Sequence, residues 1–451
     1  MIVPPAEPGF LAPWMVRQRW FANKGTPPAL EEIGRFEFPN ADPGVAIVSH
    51  LLLDHTAGKP ALYQVPLTYR SAPLTGRESA MVGMLGPIFV YDAPHDPAYT
   101  AALLSFMAAD SEVDGDRAWA KGRRTTGAIG SGFISRVLTG EQSNTSIVFE
   151  SPGDSAPVIC KLFRTLHHGD NPDVELQTVL AGAGSAVPRS IGHLVADWSD
   201  RGRETGRARG HLAFAQEYLV GAQDGWSVAL NAAAGGRDFS ADARAIGIAT
   251  AGVHATLAAT MPTAPTGQHE IDATLEQMRG RLAAAIAEVP SIQAHAASIE
   301  SVLEFARQAS WPAQQRIHGD LHLGQVLSVP DRGWMLVDFE GEPLRPMVER
   351  SRLDTPLRDV AGMLRSFDYV VGSLEAQGRT ALEGWSAAAR AGFEGGYADA
   401  SGCDIRENRT VLDALELDKA LYETVYEARN RPTWVRIPVA AIERLSARSL
   451  A

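Results

Sequence analysis

Two cysteines in 451 residues, Cys160 and Cys403, cannot build a disulfide framework, which removes the small stapled folds of secreted proteins. Cys160 lies in the apolar run Val158-Ile-Cys-Lys-Leu-Phe163 and reads as a small core residue. No stretch approaches the ~20 consecutive apolar residues of a membrane span, and Met-Ile-Val-Pro-Pro-Ala-Glu-Pro at the start lacks the basic region of a signal peptide. A soluble cytoplasmic protein is the expectation. Basic residues are outnumbered, 41 against 53 acidic, and the net charge of −12 disfavours binding to nucleic acid or to an anionic membrane. Internal repeats are absent, and the Ala-rich runs keep apolar residues at helical spacing, so they are not low-complexity tracts.

A hydrophobic content of 45% is enough to bury large cores, divided over two or three domains. Residues 1–90 alternate apolar and polar positions between Pro and Gly breaks, as in Val45-Ala-Ile-Val-Ser-His-Leu-Leu-Leu, and suggest a small antiparallel sheet. Residues 97–108 read as helix. Residues 110–131, polar and Gly-rich around Lys121-Gly-Arg-Arg, read as loop. Strand patterns return over 133–149, 158–163 and 213–220, with a helix opening at Asn171-Pro172 and a solvated hairpin connection over 198–210. Beyond residue 225 helical runs dominate: 241–260, 271–288, 294–309, 379–399 and 408–430. The division is 1–90, 91–222 and 223–451, an α+β chain with a cleft between two lobes.

The densest chemistry lies between Arg316 and Glu342. His318-Gly-Asp320, an amide five residues on at Gln325, and Asp338 closing the apolar Trp334-Met-Leu-Val-Asp338 reproduce the spacing of a phosphotransferase centre. The protein-kinase loop is written H-R-D-x-x-x-x-N followed by D-F-G; here it is H-G-D-x-x-x-x-Q followed by Asp338-Phe-Glu340. A hydroxyl attacking the γ-phosphate of ATP needs a carboxylate to orient it and take its proton, which suits Asp320. Mg²⁺ takes hard oxygen ligands, which Gln325 and Asp338 offer. His318 and His322, at i and i+4, also have zinc-ligand spacing, but Gly319 and Gly324 favour a loop and no third ligand follows. The blandest alternative makes both aspartates turn residues.

A phosphotransferase centre needs phosphate contacts from the β-rich half. Lys161 stands mid-strand among apolar neighbours, where a lysine is costly unless paired, and Glu175 in the following helix can partner it. Between two strand patterns, Glu141-Gln-Ser-Asn-Thr-Ser146 offers Ser143, Asn144 and Thr145 to phosphate, although it is not glycine-rich and also reads as an ordinary polar hairpin turn. Gln216, Glu217 and Leu219 end the next strand as an adenine-facing hinge in which the backbone matters most. Near the C-terminus Lys419, Tyr422, Glu423, Tyr426 and Asn430 share a helical face, followed by Arg431 and Trp434. Rings interleaved with acid and amide groups fit a sugar; the alternative is a surface helix laced with pairs such as Lys419–Glu423.

These stretches resemble maltokinases, ATP-dependent members of the aminoglycoside-phosphotransferase-like superfamily. The resemblance is carried by Arg17-Gln-Arg-Trp-Phe-Ala, Asn171-Pro-Asp-Val-Glu-Leu, His318-Gly-Asp-Leu-His-Leu-Gly-Gln-Val-Leu, Asp338-Phe-Glu-Gly-Glu-Pro and Pro356-Leu-Arg-Asp-Val-Ala-Gly-Met-Leu-Arg-Ser-Phe. To these the helix Leu417-Asp-Lys-Ala-Leu-Tyr-Glu-Thr-Val-Tyr-Glu-Ala-Arg-Asn-Arg-Pro is added. The resemblance implies a bilobal protein-kinase-like fold: a β-rich N-terminal cap (1–90), a small β-rich nucleotide lobe (91–222) and a mostly helical C-lobe (223–451). It implies ATP and Mg²⁺ as cofactors and phosphorylation of maltose at its anomeric hydroxyl to maltose 1-phosphate, feeding glycogen-type α-glucan synthesis. By position it makes Asp320 the base, Gln325 and Asp338 the Mg²⁺ ligands, and Lys161 a phosphate contact. His322, Tyr422, Tyr426, Glu427, Arg431 and Trp434 are the expected sugar contacts, and association with a trehalose- or maltose-metabolising enzyme is an expected partnership. A glucosamine or aminoglycoside kinase of the same plan is the competing enzyme reading, and a non-catalytic kinase-like binding module is the reading from another class.

Overall fold

The computed structural model describes residues 8–448 apart from 59, 126–129, 131, 141–143, 152, 154, 343, 344, 380 and 381. Its described residues form two compact units, one within Met1–Thr178 and Pro188–Val220 and the other within Val179–Val187 and Gly221–Ala451.

The first unit begins with a short helix α1 (Ala12–Met15) and an antiparallel sheet of β1 (Leu30–Glu37), β2 (Val45–Asp54), β3 (Ala61–Arg70), β4 (Met81–Leu85) and β5 (Ile88–Asp92), ordered β1-β2-β3-β5-β4. Both faces of β2 are buried. Val48 and Leu52 pack with Trp14, Trp20 and Phe21, while Ile47 and Leu51 join a larger core shared with the rest of the unit. That core is closed by α2 (Pro97–Ala108) and a seven-stranded sheet of β6 (Glu112–Asp114), β7 (Ala118–Arg124), β8 (Ile134–Val137), β9 (Thr145–Glu150), β10 (Val158–Leu162), β12 (Ser190–Ser199) and β13 (Arg207–Glu217). Its order is β6-β7-β12-β13-β10-β9-β8, and a two-residue β11 (Thr165–Leu166) crosses back to pair with β3. The seam is polar: Gln64 on β3 donates to the carbonyls of Phe163 and Leu212 at 3.2 and 3.0 Å. Beside it the wholly buried Arg164 bonds Asp92 at 2.8 Å and Thr145 at 2.8 Å, and lies 4.9 Å from the Trp20 ring.

The loop expected over 110–131 is corrected in its described part, which contains β6 and β7. The strand pattern is hidden because the inward positions of β7 are the small Ala118, Ala120 and Gly122, while Lys121, Arg123 and Arg124 face outward. Small inward residues are what α2 requires, since Gly122 lies against the backbone of Phe106 and Met107. The helix expected at Asn171-Pro172 is α3 (Pro172–Gly182), with Pro at its first position.

The second unit holds a three-stranded sheet of β14 (Gln223–Asp224), β15 (Val326–Val329) and β16 (Gly333–Leu336). Its helices are α4 (Gly225–Ala234), α5 (Ser240–Thr260), α6 (Gln268–Glu288), α7 (Ala296–Gln308), α8 (Met347–Arg350), α9 (Leu357–Ala376), α10 (Trp385–Ser401), α11 (Arg409–Asn430) and α12 (Arg436–Arg448). Four of the five expected helical runs coincide with α5, α6, α7 and α11, and the fifth, 379–399, starts late at Trp385. α9 was not expected. It is buried on most of its circumference and keeps a strong apolar period, with polar Asp359, Arg365 and Ser366 also lying inside the protein. None of the helices is long and apolar enough to cross a membrane, among the described residues.

Candidate active site

The segment His318–Gln325 runs irregularly into β15, and α9 holds it in place. The Asp359 carboxylate accepts from the backbone N–H of His318 (2.8 Å) and of Gly319 (2.9 Å), and from His254 Nε2 at 3.0 Å. Gly319 takes φ +82°, and a Cβ on Gly362 of α9 would come 2.5 Å from the Leu321 carbonyl, so both glycines are dictated by the path of the loop. The His318 ring is buried against Phe339, its Nε2 donates to the Val337 carbonyl at 2.9 Å, and its Nδ1 faces the Asp320 N–H at 3.4 Å. This histidine is therefore a strut of the loop, which leaves the zinc-spacing alternative without its first ligand. His322 is also engaged locally, its Nδ1 accepting from the Gly324 N–H at 3.0 Å.

Beyond β16 the chain places Asp338 at φ +69°, a left-handed conformation rare for a residue other than glycine and characteristic of functional sites. Gln325 Nε2 lies 3.1 Å from Asp338 Oδ2, and the Val337 N–H donates to the Gln325 carbonyl. The two hard-oxygen side chains expected to share a cation are thus brought together. Their chemistry fits Mg²⁺: a carboxylate and an amide whose oxygen can turn toward the same point.

Asp320 Oδ1 is 2.9 Å from Lys419 Nζ on α11, and the same ammonium is 2.8 Å from Glu342 Oε1. Arg345 holds the other Glu342 oxygen at 2.8 Å. Although burial pushes the Glu342 carboxyl up, Lys419, Arg345 and Arg281 outweigh it and hold the group well below the usual range. Beside them Asp418 is bonded by Arg281 and by Arg358 at 2.8 Å, and Arg358 also bonds Asp354. Lys419 stacks 4.9 Å from the Tyr422 ring, and burial, then Glu342, push the Tyr422 hydroxyl up to about 12. Tyr422 is thereby joined to Asp320. The Lys419–Glu423 pairing of the surface-helix alternative gives way to Arg365–Glu423 at 2.8 Å.

Tyr426, Glu427, Arg431 and Trp434 form a second group further along the chain. Arg431 is sandwiched between Tyr426 (5.6 Å) and Trp434 (4.6 Å), with Tyr426 39% exposed. Glu427 is only 2% exposed, turned inward onto Arg431 (2.6 Å) and Tyr369 (3.5 Å). A groove of about 970 Å³ between α9, α10, α11 and α12 contains none of these residues.

In the first unit, Lys161 lies mid-β10 and its Nζ bonds Asp173 at 2.7 Å; Glu175 stands two residues on, in the same first turn of the helix. Asp173 was not foreseen as the partner. Nothing but its place in the first turn, where the helix dipole favours an acid, singled it out. Asn144 precedes β9, and Thr145 begins it with its hydroxyl turned inward to Arg164. Ser143 lies outside the described residues. Gln216 is buried against Gln177, Glu217 bonds Arg189 at 3.3 Å, and Leu219 is buried just before the unit ends at Val220.

Lys419, Glu342 and Asp359 are the residues of the loop's surroundings that motif spacing did not reveal. Each lies far along the chain from Asp320 or is read locally as a helix or turn charge.

Residues 14–96 match the maltokinase N-terminal cap domain and residues 136–394 the phosphotransferase enzyme family. A glucosamine kinase of Mycolicibacterium smegmatis is 30% identical over 69% of this chain and 79% of its own length. A glucosamine kinase of Streptacidiphilus jiangxiensis is 32% identical over 50% of this chain, which spans little more than half, 56%, of that relative. Among solved structures, a glucosamine kinase in complex with glucosamine, ADP and inorganic phosphate superposes with a TM-score of 0.63 at 22% identity, over 98% of this chain and 99% of that one. A second crystal form of a glucosamine kinase gives 0.64 at 23% identity, covering 98% and 99%. The α+β fold, a β-rich part followed by a helical part, is therefore that of the kinase-like phosphotransferases, and the chain belongs to the phosphotransferase enzyme family, as a member that carries a maltokinase N-terminal cap.

Proposed function

We propose that the protein transfers the γ-phosphate of ATP to a hydroxyl of a small neutral sugar, maltose at its anomeric hydroxyl in the first instance, yielding maltose 1-phosphate. The observation that carries this reading is Asp320, held on a loop braced by Asp359 and facing Lys419 and Tyr422, with the Gln325–Asp338 pair downstream. Asp320 orients the acceptor hydroxyl and takes its proton. Gln325 and Asp338 hold Mg²⁺, which when bound offsets charge on the phosphates. Lys161, steadied by Asp173, contacts phosphate, with Asn144 and Thr145 offering it backbone N–H groups and Glu175 as a further support of the lysine. The backbone of Gln216, Glu217 and Leu219 receives adenine. Tyr422 and His322 lie nearest the reacting hydroxyl, and the Tyr426–Arg431–Trp434 stack, underpinned by Glu427, offers a remote ring-stacking surface that suits the second ring of a disaccharide.

We assign residues 1–90 as cap, 91–222 as nucleotide-binding part and 223–451 as the part that binds sugar. A role in α-glucan synthesis, in the cytoplasm and beside another enzyme of maltose or trehalose metabolism, belongs to the same proposal. The second reading, a glucosamine kinase, is favoured by the names of the relatives. Measuring ADP release from ATP and Mg²⁺ with maltose, glucose, glucosamine and an aminoglycoside separates the two. Maltose-dependent release supports the proposal, release with glucosamine alone moves the assignment to the amino-sugar kinase, and release with no acceptor overturns both.

A further inference from the structure

Asp320 lies in a cluster of paired charges, with the Arg350 guanidinium also near enough to act on it. Four carboxylates, Asp320, Glu342, Asp354 and Asp418, face four cations, Lys419, Arg281, Arg345 and Arg358, within one contiguous set of ion pairs. Lys419 is the member beside the reacting carboxylate, with its side chain only 16% exposed. An ammonium bridging two carboxylates at 2.9 and 2.8 Å sits where the ammonium of a bound amino sugar would find its strongest partners.

We propose that Lys419 is a resident cation that sets acceptor specificity: it takes the place beside Asp320 and Glu342 that a protonated amino sugar would need, so neutral sugars are accepted and cationic ones rejected. The inference rests on the sugar-kinase reading above and deepens it. An incoming sugar ammonium must shed water and finds carboxylates already paired, while the fixed Lys419 charge repels it; an unpaired charge in such a place is strongly disfavoured. A neutral sugar meets no such cost. Two of the three Lys419 N–H bonds are spent on carboxylates, and the third can donate to a sugar oxygen. The buried Glu342 is held ionised by its cations, so it keeps Lys419 anchored rather than becoming a neutral acid.

A purely structural lysine, tying α11 to the loop, would lower turnover of every sugar alike when replaced. A specificity lysine changes the ratio between sugars according to charge. In Lys419→Met, two ionised carboxylates lose their ammonium, and a sugar ammonium can supply it. The kcat/KM ratio of glucosamine to glucose is expected to rise at least about tenfold, the scale of one charge pair, with no matching rise for the uncharged N-acetylglucosamine. An unchanged glucosamine-to-glucose ratio, or an equal gain for N-acetylglucosamine, overturns the proposal. Should the variant fail to fold, the parent protein decides: glucosamine should compete against maltose better as pH rises through ionisation of its amine, with glucose as the pH-insensitive control. A flat or falling ratio overturns it. A parent that prefers glucosamine to neutral sugars at neutral pH overturns the proposal but leaves phosphotransfer standing, and one that phosphorylates no sugar overturns the functional reading itself.

Discussion

Asp359 provides the sharpest test of how the loop around Asp320 is held. Its carboxylate is 1% exposed and accepts from His318 N–H, Gly319 N–H and His254 Nε2. In Asp359→Ala the two backbone donors lose their acceptor inside the protein, at about 1–3 kcal/mol each, so roughly 2–6 kcal/mol falls on the loop before His254 is counted. Asp359→Asn keeps one acceptor oxygen but aims an amide N–H at the other donors, and should fall between parent and alanine variant. Burial alone would push the Asp359 carboxyl up, but bonds and charge from His254, then His318 and Gly319, hold it below the ordinary value. The contribution is thus present above about pH 3.9 and is lost only as pH falls below it. Amide hydrogen exchange over residues 318–325, with kcat on the sugar substrate, is the assay, because a local measurement does not require the whole chain to unfold in one step. Faster exchange and at least a hundredfold loss of kcat (about 2.7 kcal/mol) in Asp359→Ala are expected. Parental exchange and parental kcat would refute the idea that α9 positions the loop.

Asp338→Ala should raise the Mg²⁺ concentration needed for activity more than Gln325→Ala, because a carboxylate offsets more cation charge than an amide; identical Mg²⁺ titrations for both variants and the parent would remove the pair from the cation site. Lys161→Met should raise the ATP concentration needed for half-maximal rate while sparing sugar affinity, whereas lower thermal stability with an unaltered ATP requirement would reduce the Lys161–Asp173 pair to a structural role. His193 and His211, with ring centroids 5.0 Å apart on β12 and β13, are held mainly by burial to about 4 and about 3. Arg123, Asp170 and Arg209 modulate them. Both are therefore neutral when folded, stability is unaffected above about pH 6.5, and below it each costs up to about 1.4 kcal/mol per pH unit until its folded pKa is reached. His193→Phe should flatten this acid limb, and parallel loss in parent and variant would exclude the histidine pair as its cause.

The proximity of Gln325 and Asp338, the strand that leads to Asp338 and most helices of the second unit were legible because each depends on residues close in sequence. Apolar period fixed α5, α6, α7 and α11, and the Asn171-Pro172 signal fixed the start of α3. What could not be read depends on distant partners. β7 hides its core face in Ala118, Ala120 and Gly122, a pattern that becomes a strand only because α2 lies close against it. α9 carries Asp359 and Arg365 inward toward the loop and toward Glu423, partners that only the folded chain brings to them. Lys419 reads locally as half of an i, i+4 pair, and only the folded chain brings it to Asp320, 99 residues away in sequence. Glu427, an expected sugar contact, lies buried beneath Arg431.

The central claim is phosphoryl transfer with Asp320 as the proton acceptor, and Asp320→Asn tests it most directly. An amide of the same size keeps the space and hydrogen bonding but cannot take the hydroxyl proton. Nucleotide affinity, measured by calorimetry, and sugar-dependent kcat, measured by ADP release, should separate: affinity close to that of the parent, and kcat lower by ~10²–10⁴-fold. Parental turnover in Asp320→Asn would contradict the account.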